Sequence, residues 1–136
     1  MGEPVETIER LLRATNDHDL DALTACFAAD FVNETPAHPA RGFQGSAQVR
    51  RNWEQIFAFV PDLRAEVIRR AVDGDTIWTE WVMTGTRRDG SPHEMAGVIV
   101  FGVAGDLIRW LRFYLEPVDR SGANVDAAVR AQVVVP

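Results

Sequence analysis

This chain contains no lysine: the fourteen residues counted as lysine or arginine are all arginines. Schiff-base chemistry and a lysine nucleophile are therefore excluded. Cysteine is nearly absent too: the single Cys26 excludes an internal disulfide, and no Cys/His cluster has the spacing of a zinc site. We interpret Cys26 as a small buried side chain on a helix.

Long apolar runs are also missing. No segment approaches the roughly 18 apolar residues of a membrane span, and no N-terminal run resembles a signal peptide. The net charge of −6 argues against a nucleic-acid surface, which is usually basic. We therefore expect a soluble cytoplasmic protein that contacts neither a membrane nor nucleic acid.

The first half of the chain has the apolar spacing of helices. A first helix runs to about Ala14, and a polar break follows in which Asp19 or a neighbour caps a second helix. A short strand at 31–34 separates it from a third helix, which stops at Pro61. The apolar residues at helical spacing in the three helices are Val5, Ile8, Leu11 and Leu12, then Leu20, Leu23, Cys26 and Phe27, then Val49, Trp53, Ile56 and Phe57.

The second half has the pattern of strands, at 63–72, 76–87, 93–103 and 107–116. The turns between these strands are short and contain glycine, which predicts an antiparallel meander. Helices followed by such a sheet indicate an α+β fold. At 136 residues, the chain is long enough for one domain with a real core. We assign residues 1–120 to it and 121–136 to a tail in which Asn124 caps a short helix.

The last strand is the most informative segment, because both of its faces are rich in apolar groups. Alternate residues of a strand point to opposite faces. One face also carries a cation, a phenol and a carboxylate, a combination that suits a small-molecule pocket, and the other suits packing against helices or a partner. The first face is Ile108, Trp110, Arg112, Tyr114 and Glu116, and the second is Leu107, Arg109, Leu111, Phe113 and Leu115.

Several polar residues could act in such a pocket, and each also has a plain structural interpretation. Glu80 is the natural partner of Arg112; their pair would hold the sheet together or orient a substrate oxygen. Tyr114, the only tyrosine, is a hydrogen-bond donor, and Glu116 is a candidate base. His38, in a proline-flanked loop, is a candidate proton carrier. The predicted catalytic residues are thus Glu80, Arg112, Tyr114, Glu116 and His38.

The walls of the pocket are predicted from residues on the neighbouring elements. Two neutral hydrogen-bonding groups and a set of large apolar side chains form this predicted ligand-binding set: Asn33, Thr35, Trp53, Phe57, Trp78, Met95, Phe101 and Trp110. His93 is expected at the rim, and His18 at the surface or in a cap. No metal site is predicted, since the candidate aspartates occupy separate hairpin turns.

The order of elements resembles the SnoaL-like branch of the nuclear transport factor 2-like superfamily. The resemblance covers roughly residues 3–118 and is carried by 16–23 (N-D-H-D-L-D-A-L), Phe31, Gly45, and 105–108 (G-D-L-I) running into Tyr114 and Glu116. It implies a cone-shaped, curved, mostly antiparallel sheet wrapped around the N-terminal helices and enclosing an apolar cavity. It also implies a homodimer formed through the sheet.

Relatives in this superfamily include polyketide cyclases, ketosteroid isomerase, limonene epoxide hydrolase and non-catalytic binding domains. The resemblance therefore implies a fold more than a reaction. The acid and base of limonene epoxide hydrolase align with Arg112 and Val82 here, so epoxide opening is not expected.

Three functions stay open from the sequence. The first is an enzyme without a cofactor that performs isomerisation, cyclisation or hydratase-type proton transfer on a small apolar carbonyl or polyketide-like compound. The second is a module that binds an apolar ligand without catalysis. The third is a dimeric interaction domain. A catalytic carboxylate or histidine with a perturbed pKa beside an enclosed cavity would favour the enzyme.

Overall fold

The computed structural model describes residues 3–135 and contains four α-helices. They are α1 (Pro4–Asn16), α2 (Leu20–Thr24), α3 (Ser46–Phe59) and α4 (Val125–Val133). The strands are β1 (Phe27–Glu34), β2 (Phe43–Gln44), β3 (Arg64–Asp73), β4 (Thr76–Thr86), β5 (Pro92–Ala104) and β6 (Leu107–Pro117). A 3₁₀ turn, Pro39–Arg41, lies between β1 and β2.

The strands form one curved, unclosed sheet in the order β2-β1-β6-β5-β4-β3. Strands β3 to β6 are an antiparallel meander, whereas β1 pairs with β6 in parallel. Helix α1 packs against β3, β4 and β5, and α3 packs against β1. The predicted α+β class and mostly antiparallel sheet are confirmed.

Glycine 97 allows β5 and β6 to approach closely. Its φ is 152°, a value that residues other than glycine rarely adopt. A Cβ atom at this position would lie 2.2 Å from the carbonyl oxygen of Tyr114. A glycine inside a strand commonly marks such a tight approach or bend. Gly97 therefore lets the backbone of β6 at Tyr114 and Leu115 approach β5 more closely than a residue with a side chain would allow.

Two boundaries differ from those that the sequence predicts. Helix α2 ends at Thr24, so Cys26 lies in the following turn and Phe27 opens β1, where it pairs with Ile108. Pairing with β6 supplies the backbone hydrogen bonds that a longer helix would otherwise provide. Cys26 is buried, as expected, and this burial raises the pKa of its thiol, although Arg10 opposes the shift.

Helix α4 stands on the surface. The Asn124 side chain accepts a hydrogen bond of 3.0 Å from the backbone N–H of Ala127 and so caps the helix. Its valines are exposed, for instance Val125 at 76% and Val129 at 51%. Within residues 3–135, no helix combines the length and the apolar character needed to cross a membrane.

Candidate functional site

A cavity of about 290 Å³ lies between the inner face of the sheet and helices α1 and α3. This volume is close to the lower end of the range of roughly 300–1,000 Å³ found for small-molecule pockets. Most of the lining is apolar or aromatic. The lining includes Asn33, Thr35, Arg41, Asn52, Trp53, Trp81, His93, Met95 and Phe101, together with Leu111, Phe113 and Leu115 of β6.

The face of β6 that lines the cavity is the opposite of the one predicted. Leu111, Phe113 and Leu115 point inward, whereas Arg112 and Tyr114 do not contribute to the lining. The apolar face packs inward because burying it costs no desolvation of charge. The polar face is only partly covered: 38% of Tyr114 is exposed. The prediction that this face forms the pocket was wrong.

The predicted pair of Glu80 and Arg112 does not form. Strand β5 lies between β4 and β6, so two strand spacings, about 10 Å, separate their backbones. Arg112 instead contacts Glu34, its neighbour on β1, at 3.2 Å between Nη1 and Oε2. Tyr114 and then Glu34 raise the pKa of Arg112. Glu80 lies 4.0 Å from Arg69 on β3.

The other predicted catalytic residues, His38 and Glu116, meet each other outside the cavity lining. The Nε2 atom of His38 lies 2.8 Å from Oε1 of Glu116, and both side chains are about two-fifths exposed. The contact fastens the loop after β1 to the end of β6. The structure therefore brings these two residues together, but it gives them no place in the cavity.

Of the predicted ligand-binding set, Asn33, Thr35, Trp53, Met95 and Phe101 do line the cavity. The remaining three do not. Phe57 lies behind Trp53, with its ring stacked on His18 at 4.5 Å between centroids. Trp78 is 52% exposed on the outer face of β4. Trp110 of β6 occupies the space that the missing side chain of Gly102 leaves open.

Four polar lining residues were missed by the sequence prediction: Thr15, Arg41, Asn52 and His93. Asn52 interrupts the apolar stripe of α3, a signal that could have identified it. His93 begins the inward-facing series of β5 and was expected only at the rim. Arg41 could not have been identified from a hydrophobic period, because it lies in the short 3₁₀ turn Pro39–Arg41.

Several polar atoms of the lining already have protein partners. The Trp81 indole donates to Thr79 Oγ1 at 2.6 Å, and Asn33 Nδ2 donates to Thr35 Oγ1 at 3.0 Å. Gln48 Nε2 donates to Asn52 Oδ1 at 2.7 Å, which leaves the amide N–H groups of Asn52 as donors. Asn33 likewise keeps a second N–H. The cavity thus offers a ligand hydrogen-bond donors more than acceptors.

His93 is the histidine of the cavity lining within residues 3–135. Partial burial, and then the charge of Arg87, hold its pKa below the ordinary value. The imidazole is therefore neutral at pH 7, the form that accepts a proton. Among the described residues the lining contains no carboxylate, and no cluster of His, Cys, Asp and Glu suits a metal ion.

Comparison with protein families identifies the family of this chain. The model of the SnoaL-like domain matches residues 8–111. The chain belongs to the SnoaL-like domain family. The resemblance deduced from the sequence is therefore confirmed.

Solved structures similar to this SnoaL-like chain include two of IdmH. A variant of IdmH with a truncated 96–104 loop is 28% identical, with a TM-score of 0.70 over 83% of this chain and 92% of that one. Wild-type IdmH from Streptomyces antibioticus, a candidate polyketide cyclase, is 24% identical, with a TM-score of 0.73 over 98% of this chain and 100% of that one.

An LEH-like epoxide hydrolase of M. tuberculosis shares the fold at lower identity. It is 19% identical, with a TM-score of 0.71 over 83% of this chain and 82% of that one. A comparison with curated proteins finds no match. Cyclases and epoxide hydrolases thus occur on this fold, and the fold alone does not select a reaction.

Proposed function

We propose that this chain binds a small, mainly apolar carbonyl compound in the cavity and catalyses a cofactor-independent proton transfer on it, of the isomerase, cyclase or hydratase type. The observation that carries the proposal is His93, a neutral imidazole in a largely apolar lining. A positioned general base typically contributes about 10²–10⁴-fold to the rate.

The proposed step begins with a proton on the carbon beside the carbonyl group. His93 takes this proton, the C–H electron pair becomes the enolate, and the charge moves to the oxygen. Asn52 and Asn33 carry N–H groups that can hydrogen-bond to that oxygen. Return of the proton from the imidazolium to another carbon completes an isomerisation. Alternatively, the enolate carbon attacks a second carbonyl, the C=O π electrons move to its oxygen, and the imidazolium gives its proton to the resulting alkoxide, which closes a ring.

Proton exchange tests this proposal directly. A bicyclic ketone such as 2-tetralone is incubated with the protein in D₂O, and loss of its α-proton signal is followed by NMR. We expect His93→Gln to slow enzyme-dependent exchange by about 100-fold or more. The matched control is His38→Gln, which changes a histidine outside the lining. Loss of exchange in the control alone would return the catalytic role to His38.

Binding without catalysis is the second candidate function. The observation that favours it is the absence of a carboxylate from the described lining, together with the internal hydrogen bonds of Trp81 and Asn33. In that case calorimetry would detect binding of the ketone, and the protein would not accelerate exchange above the buffer rate.

We also propose that the chain forms a homodimer through the outer face of the sheet. Trp78, Tyr114 and Val32 lie there with 52%, 38% and 38% of their surfaces exposed. Large exposed aromatic groups are typical of protein interfaces. Light scattering on the purified protein gives the mass, and Trp78→Glu should shift it toward that of a monomer. A monomeric wild type would refute the dimer.

A further inference from the structure

Arg41 is the permanently charged side chain of the cavity lining within residues 3–135. We propose that the cavity selects an apolar carbonyl compound that also bears a carboxylic acid, with its apolar part inside the cavity and its carboxylate on Arg41. This inference rests on the proposed function and narrows its substrate to one chemical class. The planar guanidinium matches the two oxygens of a carboxylate, which it can bind through parallel N–H···O bonds.

Arg41 is exposed, and its guanidinium has no carboxylate neighbour within the described residues. In residues 3–135, six of the fourteen arginines contact a carboxylate, as Arg50 does with Asp21 and Arg120 with Glu94 at 2.7 Å each, and Arg41 is one of the eight that do not. Arg41 has no such partner among the described residues, although the chain carries a net charge of −6. The described lining contains no carboxylate either, so no acidic side chain of the lining competes with an anion for the guanidinium.

The loop that carries Arg41 is held in place before any ligand arrives. The Arg41 N–H donates to the His38 carbonyl at 2.9 Å, and the His38 N–H donates to the Thr35 carbonyl at 2.8 Å. The His38 ring contacts Glu116 at 2.8 Å, which fastens the loop to β6. Such anchoring reduces the entropy lost when a ligand binds.

The neutral groups of the lining suit the same ligand. The N–H groups of Asn52 and Asn33 that are left over from protein hydrogen bonds can donate to an oxygen, and no acidic side chain of the described lining would accept from a ligand cation. The arrangement therefore favours an acid over the corresponding amine, alcohol or amide.

Matched acids and amides test the inference. Benzoate, 2-naphthoate and 2-anthroate are each compared with the primary amide of the same ring system, using tryptophan fluorescence and calorimetry at pH 7. The variants are Arg41→Gln and, as a control with the same change of charge, Arg64→Gln at the exposed start of β3. Arg64 lies outside the lining, so its variant reports only the general electrostatic effect.

We expect the wild type to bind at least one acid about tenfold or more tightly than its amide. Arg41→Gln should remove that preference while leaving amide binding unchanged, and Arg64→Gln should keep it. Equal affinity for acid and amide, or a preference that survives Arg41→Gln, overturns the inference but leaves the ligand-binding proposal standing. Failure of every acid and amide to bind overturns both.

Discussion

Asn16 fastens the end of α1 to the edge of the sheet, and its removal should be costly. Its Nδ2 donates to the carbonyl of Ala65 at 3.0 Å, and its Oδ1 accepts from the N–H of the same residue at 2.7 Å. Strand β3 is an edge strand, so Asn16 takes the place of a missing neighbour. Asn16→Ala removes both bonds and leaves two main-chain groups of Ala65, a residue only 8% exposed, without these partners.

The cost can be worked out from these two bonds. A hydrogen bond contributes about 0.5–1.5 kcal/mol net, and a buried polar group left without a partner costs about 1–3 kcal/mol. Because water can reach part of an edge strand, we expect a loss of about 2–4 kcal/mol in the free energy of unfolding. A typical domain has only about 5–15 kcal/mol in total, so the change is large.

Urea denaturation followed by tryptophan fluorescence measures this loss. Asn124→Ala is the matched control, because it also removes a hydrogen bond from an asparagine side chain to the backbone, but on the exposed helix α4. We expect the control to leave the unfolding midpoint of the domain unchanged. If Asn16→Ala stays within about 0.5 kcal/mol of the wild type, typical of a neutral surface change, the reasoning about Ala65 is refuted.

Three further predictions concern the tail, the cavity and the outer face. A fragment lacking residues 121–136 should keep its melting temperature, since α4 is exposed throughout; a large fall would show that the tail packs on the domain or on a partner. Because folding lowers the pKa of His93, the stability of the wild type should decline as the pH falls from about 6.5 through that lowered pKa. His93→Gln should lack this part of the pH dependence. Identical pH profiles of the melting temperature for the wild type and the variant would contradict the prediction. In a double-mutant cycle, the losses of unfolding free energy caused by Arg112→Leu and Glu80→Leu should be additive, because the two side chains belong to different ion pairs. Strong coupling between the two substitutions would show that Glu80 and Arg112 do interact.

Local patterns in the sequence were enough to predict most of the fold. Helical spacing predicted α1 and α3, and glycine-containing turns between apolar segments predicted the meander of β3 to β6. The parallel pairing of β1 with β6 was not predicted, because it joins segments that are far apart in the chain. Strand β2, of two residues, is too short to give a periodic signal.

The cavity was harder to predict than the fold, because the side chains of a strand alternate between its two faces. A period of two gives two candidate faces, and a single strand does not show which one meets the helices. The polar face of β6 suggested a pocket because it combines a cation, a phenol and a carboxylate with large apolar side chains. The pairing of β6 with β1 decides between the two faces, because it places Arg112 beside Glu34 on a partly exposed surface. The inward series of β4, with Trp81 and Met83, is free of charge and was the better guide.

The division of charge between the two faces constrains what the cavity can do. The outer carboxylates have cationic or histidine neighbours, as Glu34 has with Arg112 and Glu116 with His38, and solvent screens these pairs. Moving such groups inside would require desolvation that a small domain can rarely offset. The described lining accordingly contains neutral groups, a histidine held neutral and one arginine that a ligand can neutralise. Hydrolysis driven by a pair of carboxylates has no such pair in the described lining, whereas the proton transfer proposed above needs only the groups that are there.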